Sequence, residues 1–203
     1  MIKAIIFDIG GVNIRDAPMA FLEKLEKKSG MSKKELYFLT WDTKEWKELY
    51  NKGLLTENQL LEVLKKKGKV KEEVLVYIME NVREEILKPV PETIEIVEKL
   101  KKRYKVYALS NVDKESAEYV KKKFSIYNIF DGVVLSCEVG MVKPEPEIYK
   151  LILKKFGLGV EECIFIDNNQ ENVDGAERVG IKSIRFESPE QLKRDLAKLG
   201  VNV

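Results

Sequence analysis

The chain opens with Lys3-Ala4-Ile5-Ile6-Phe7-Asp8-Ile9-Gly10-Gly11-Val12, an apolar run that ends on a carboxylate and two glycines. That pattern predicts a strand buried on both faces, whose carboxyl end carries Asp8 into a crevice. Glycines at 10 and 11 let the backbone turn sharply and approach a ligand closely. From Arg15 to Lys88 the rhythm becomes helical. Ala20, Phe21, Leu22 and Leu25 form one apolar stripe, and Ser32 with Glu35 reads as a capping box. Trp41, Trp46, Leu49 and Tyr50 mark a third helix, stopped by Gly53. Thr56 caps a fourth helix bearing Leu60, Leu61 and Leu64; Val74, Leu75, Ile78, Met79 and Val82 mark a fifth. The pattern predicts an all-helical insertion over residues 15–88, with Pro89 and Pro91 at the return to the first domain.

Beyond it strands and helices alternate. A helix over 92–103 leads to the strand 105–109, which ends on Ser110-Asn111. A helix over 114–124 leads to Val133-Val134-Leu135 and then a loop through Gly140 to Lys143-Pro144. A helix over 147–156 leads to Cys163-Ile164-Phe165-Ile166, ending on Asp167-Asn168-Asn169. A helix over 171–179, stopped by Gly180, leads to the strand 182–186, and Ser188-Pro189 opens the last helix. Strands too far apart in sequence for hairpins call for a parallel sheet with right-handed crossovers. The expected fold class is therefore α/β: a Rossmann-like parallel sheet from residues 1–14 and 89–203, with the helical insertion after its first strand.

Composition narrows the chemistry. With 203 residues, 44% of them hydrophobic, the chain can build a core. A net charge of +2 makes no electrostatic case for nucleic acid. Charged residues reach 34%, chiefly Lys and Glu, which together with the absence of His hints at a thermophilic source. Without His there is no Ser–His pair, imidazole base or imidazole metal ligand, so acids, bases and nucleophiles come from carboxylates, Lys, Tyr, Cys, Ser or Thr. Cys137 and Cys163 lack metal-ligand spacing and read as core residues in a reducing cytoplasm. The apolar opening is too short for a signal peptide, and no run is long enough to span a bilayer, so no membrane partner is expected.

In a parallel sheet the carboxyl ends share one edge, where ligands bind. Asp8, Ser110-Asn111, Lys143 and Asp167-Asn168 would converge there and suit an anionic substrate. Asp8 can act as nucleophile, and Lys143 can neutralise developing negative charge. Ser110 and the N–H groups after it can hold phosphate-type oxygens, although Ser110-Asn111 also suits a helix cap. Asp167 beside Asp8 places two carboxylates together, and a hard divalent cation such as magnesium would relieve their repulsion.

These segments resemble the motifs of the haloacid dehalogenase-like superfamily, in the branch whose helical cap follows the first strand. Ile5 to Val12 resembles the first motif, Leu109-Ser110-Asn111 the second, Gly140 to Tyr149 the third and Phe165 to Ala176 the fourth. The resemblance covers essentially the whole chain and looks closest to the glucose-1-phosphatase-like members with an Asp-x-Gly pattern. It implies a magnesium-dependent hydrolase of a small, sugar-phosphate-like metabolite, in which Asp8 forms an enzyme ester that water then cleaves. It implies phosphate contacts from Gly11, Ser110, Asn111 and Lys143, and magnesium (Mg2+) held by Asp8, the Gly10 carbonyl, Asp167 and Asn168. Substrate choice would lie with the cap, with Arg15, Trp41, Trp46 and Tyr50 as candidates. A monomer or homodimer is expected.

Two positions depart from the family pattern. Most family phosphatases carry a second Asp two residues after the nucleophile, as general acid and base; here Gly10 has no side chain to move a proton. Asn168 stands where a metal-binding Asp is common, and its amide oxygen brings no charge. These departures leave open a metal-free 2-haloacid dehalogenase and a catalytically impaired protein that binds an anion or a partner.

Overall fold

The computed structural model describes residues 1–15 and 19–203; the side chains of Met19 and Ala20, and so part of the first expected stripe, lie outside what it describes. Strand β1 (Ala4–Phe7) is followed by a two-residue strand, β2 (Ile14–Arg15). Helices α1 (Met19–Ser29), α2 (Lys33–Leu39), α3 (Glu57–Lys67) and α4 (Glu72–Ile86) follow, with a π-helical turn at Glu45–Tyr50. A second two-residue strand, β3 (Lys88–Pro89), closes this segment. Then come α5 (Pro91–Leu100), β4 (Lys105–Ser110), α6 (Lys114–Phe124), β5 (Gly132–Leu135) and α7 (Ser136–Val139). The chain ends with α8 (Pro146–Phe156), β6 (Cys163–Asp167), α9 (Gln170–Arg178), β7 (Lys182–Arg185) and α10 (Pro189–Lys198).

The five longer strands form one parallel sheet in the order β5-β4-β1-β6-β7. β1 is central and reads as continuously apolar because both its faces are covered. Ile5 and Phe7 enter a core with Ile96, Val97 and Leu100 of α5, Val120 of α6 and Leu192 and Leu196 of α10. Ala4 and Ile6 enter the opposite core, with Ile148, Tyr149 and Ile152 of α8 and Ala176 of α9. The helices from α1 to α4 bury Phe21, Leu25, Leu36, Trp46, Tyr50, Leu60, Leu64, Val74 and Ile78 in a third cluster of their own.

Local signals act as expected at several helix starts. Ser32 with Glu35, Thr56 with Gln59 and Ser188 with Gln191 each form a reciprocal capping box. Four details differ. Ser110 and Asn111 do not cap α6; Asp113 does, accepting from Ser116 N at 2.8 Å, which leaves Ser110 and Asn111 on the strand-end loop. The expected third helix is a single π-helical turn ending before Gly53, whose φ of +70° suits glycine. β2 and β3 pair antiparallel, Ile14 with Pro89 and Arg15 with Lys88, so the two connections to the helical segment are tied to each other. Cys137 is half-buried beside Gly53, whereas Cys163 is buried in the core.

Candidate active site

The carboxyl ends of β1, β4 and β6 bring their polar residues to one place. Asp8 extends the β1 ladder through its N–H to Ile166 O at 2.8 Å, so its side chain leaves the sheet edge in a set direction. Its carboxylate Oδ1 accepts the Ile9 N–H at 2.7 Å. Asn13, fully buried, donates from Nδ2 to the Asp8 carbonyl at 2.8 Å.

Lys143 is the centre of the arrangement. It is 3% exposed, and its ammonium reaches Asp8 Oδ1 at 2.8 Å, Asp167 Oδ2 at 2.7 Å and the Leu109 carbonyl at 2.9 Å. Three acceptors match its three donors, and the Phe165 ring lies 5.5 Å away. In this arrangement Lys143 cross-links two carboxylates, and its charge rather than a free N–H faces the cleft. Burial alone would draw its pKa down, but Asp167 and Asp8 outweigh that and raise it. Asp8 is raised too, which for a carboxyl disfavours the charged form: burial first, and then repulsion from Asp167, push it up to about 7 against the pull of Lys143.

Asn111 fixes the lysine's backbone. Its Nδ2 donates to Lys143 O and its Oδ1 accepts from Lys143 N, both at 2.8 Å. Its amide thus faces Lys143's main chain, which differs from the phosphate contact the resemblance implies. Ser110, the last residue of β4, is 3% exposed and lines the cleft. Asp167, fully buried, accepts from Asn169 N at 2.8 Å on Oδ1. Its Oδ2 accepts from Asn172 Nδ2 at 3.0 Å as well as from Lys143.

Asn172 is absent from the sequence-derived site. Its available signal was an amide on the core-facing side of α9, beside Val173 and Ala176, where a polar side chain needs a buried partner. Gly175 lets α9 press against the loop after Lys143, since a Cβ there would stand 2.8 Å from Pro144 Cβ. Gly11 has φ +77°, and a Cβ there would come within 2.2 Å of Asn168 Nδ2, so the Asn168 amide rests on the glycine.

Asp8, Gly10, Ser110, Asn111, Lys143 and Asn168 all line one cleft of about 870 Å³ under the helical segment. Trp41 and Trp46 face it too, although their rings, 5.3 Å apart, chiefly pack in the helical cluster. Tyr50 is 2% exposed inside that cluster and does not reach the cleft. Arg15 is exposed on β2 and is not part of the lining. The helical segment rests on the sheet domain through Lys52–Glu145 at 2.5 Å and Ser136 Oγ–Asn51 O at 2.6 Å. Glu84 adds bonds to Tyr119 and Lys123.

Among the described residues no three His, Cys, Asp or Glu side chains group as a metal site. Two buried carboxylates nevertheless face one ammonium, and burial first, then repulsion from Asp167, lifts the Asp8 carboxyl. Carboxylate, amide and carbonyl oxygens are donors that suit magnesium, so the residues fit a hard divalent cation. Among the described residues no helix is long and apolar enough to cross a membrane.

A family model for haloacid dehalogenase-like hydrolases matches residues 2–180. The chain is 27% identical over 205 residues to the drimenol cyclase drtB of Aspergillus calidoustus, covering 98% of this chain and 37% of that protein. It is 37% identical over 83 residues to a chloroplast flavin mononucleotide hydrolase of Arabidopsis thaliana, covering 41% of this chain and 33% of that one. The matches thus span about a third of either relative's length. Among solved structures, the HAD family enzyme bt-2542 of Bacteroides thetaiotaomicron, in complex with magnesium and inorganic phosphate, superposes with a TM-score of 0.71. That pair is 25% identical, with 95% of this chain and 99% of the other covered.

Proposed function

Because this chain belongs to the haloacid dehalogenase-like hydrolases, we propose that it is a phosphatase of small phosphorylated metabolites that works through an aspartyl-phosphate at Asp8. The observation that carries this reading is the buried Asp8–Lys143–Asp167 bridge, of which Asp8 and Lys143 line the cleft. A carboxylate oxygen of Asp8 attacks phosphorus as the bond to the leaving oxygen breaks, and water then cleaves the ester. The Lys143 charge offsets negative charge building on the phosphoryl oxygens, which Ser110 and the Gly11 backbone bind in this reading. Asn111 and Asn172 act through others, one holding the lysine's backbone and one the Asp167 carboxylate. Asp8, the Gly10 carbonyl, Asp167 and Asn168 would hold magnesium, which supplies positive charge for the transferring phosphoryl group. The magnesium and phosphate bound by bt-2542 support this assignment.

Residues 15–88 serve as a cap over Asp8, and substrate choice lies between that cap and the strand ends. Gly10 brings no acid to the leaving group, so aryl, acyl or anomeric sugar phosphates are preferred to simple alkyl esters. Two unbridged cysteines accord with work in a reducing cytoplasm, as monomer or homodimer.

The test is phosphate release from p-nitrophenyl phosphate with magnesium or with EDTA, beside the Asp8→Asn variant. The reading expects magnesium-dependent release that the variant lacks. Chloride release from 2-chloropropionate in EDTA, with no phosphate release, would replace it with the metal-free dehalogenase.

A further inference from the structure

The cleft continues beyond the strand ends along a wall built from different residues. The last turns of α4 and the later turns of α6 face each other there, tied by Glu84 to Tyr119 and Lys123. Ile14, Val82, Ile86, Leu87, Val112 and Val120 line this side. None of these side chains can donate or accept a hydrogen bond. The charged groups among them are held by the fold. Arg83 is paired with Glu57 and donates to the Met79 carbonyl at 3.0 Å. Asp113 is engaged as the cap of α6. A sugar would bring several hydroxyls to such a wall and lose their hydration without replacement. A second phosphate would meet Asp113 and a cation already neutralised. The uncharged polar side chains on this side are Ser116 and Tyr127, the latter with a buried hydroxyl that has no partner among the described residues.

We propose that this wall is a leaving-group subsite for an apolar organic group, so that the substrate is an aryl or long-chain acyl phosphate rather than a sugar phosphate. The proposal rests on the phosphatase reading of Asp8 and selects among the good leaving groups that reading allows. Burying a methylene contributes about 0.8 kcal/mol, or roughly fourfold in affinity, where burial is complete. A wall open on one side gives less, about twofold for each methylene.

n-Alkylphosphonates test this, since their C–P bond is not hydrolysed. Ethyl, butyl, hexyl and octyl phosphonate are compared with inorganic phosphate as competitive inhibitors of p-nitrophenyl phosphate hydrolysis, with magnesium present. The inhibition constant should fall about twofold for each added methylene up to six carbons. Val82→Asn and Val112→Asn should each flatten that slope; because the slope is read within each variant, a general loss of activity does not imitate the effect. An inhibition constant independent of chain length overturns the subsite while leaving phosphate binding intact. A slope unchanged in both variants places the chain elsewhere and also overturns it. If inorganic phosphate fails to compete, the anion site at Asp8 falls first, and the subsite with it.

Discussion

Asp8→Asn should make the metal-free protein more stable at pH 8. The variant keeps the side chain's size and removes one of two carboxylates buried around Lys143. In the folded chain the Asp8 carboxyl is pushed up to about 7 from 3.8, so at pH 8 folding forces it to stay ionised where burial disfavours that form. At about 1.4 kcal/mol per tenfold change in proton affinity, the gap sets a ceiling of roughly 4 kcal/mol. Asparagine gives up the Asp8–Lys143 pair, but Lys143 keeps Asp167 and the Leu109 carbonyl, so a net gain of about 1–3 kcal/mol is expected. For a chain of this length that is roughly 3–8 °C in Tm. The sign follows from proton counting: between the two pKa values the folded state holds a proton the unfolded state has lost. The wild type therefore loses stability as pH rises from about 4 to about 7, with the full cost present above 7. The variant's advantage should be largest at pH 8 and less than half as large at pH 5. Calorimetric unfolding of both proteins in EDTA, without phosphate, measures it. A variant less stable than the wild type at pH 8, or an advantage equal at the two pH values, would refute the reasoning.

Lys143→Met should cost about 3–5 kcal/mol of stability, since it leaves two buried carboxylates unpaired, and phosphatase activity should fall by at least about 10²-fold; denaturant unfolding and steady-state kinetics check both. Asn172→Ala should lower kcat/KM by about 10- to 100-fold by freeing the Asp167 carboxylate, with the circular dichroism spectrum preserved. Gly11→Ala should cost about 1–3 kcal/mol from its left-handed backbone alone and displace Asn168, read as a lower Tm together with weaker magnesium binding in a calorimetric titration. Trp46→Ala, at 7% exposure in the cap cluster, should destabilise by about 3–5 kcal/mol, seen first as faster hydrogen exchange in residues 19–86.

The parallel sheet was legible because β1, β4, β5 and β6 are short apolar runs that end on or are followed by a polar residue, and the helices because Ser32, Thr56 and Ser188 sit where caps must be. The gathering of Asp8 and Asp167 follows from strand parallelism, whereas Lys143 joins them from the loop between α7 and α8. What each partner does there was not legible. Nothing in Leu109-Ser110-Asn111 says that the asparagine turns to Lys143's backbone, because that depends on where a loop thirty residues later returns. Nor does Lys143 by itself reveal that all three of its donors are engaged. Asn172 was overlooked because a polar residue within a helix normally faces water, although its place beside Val173 and Ala176 put it on the core side of α9. The β2–β3 ribbon is two residues long, too short for any alternation to announce it. Arg15, a candidate for substrate choice by resemblance, lies on that ribbon outside the cleft.

The central claim is that the Asp8 carboxylate takes the phosphoryl group. Borohydride added during turnover reduces an aspartyl phosphate to homoserine, and peptide mass spectrometry reads the position. Homoserine at position 8, present only with substrate and magnesium, is the expected result. Continued phosphate release with residue 8 recovered as aspartate, or homoserine at another position, would contradict the account.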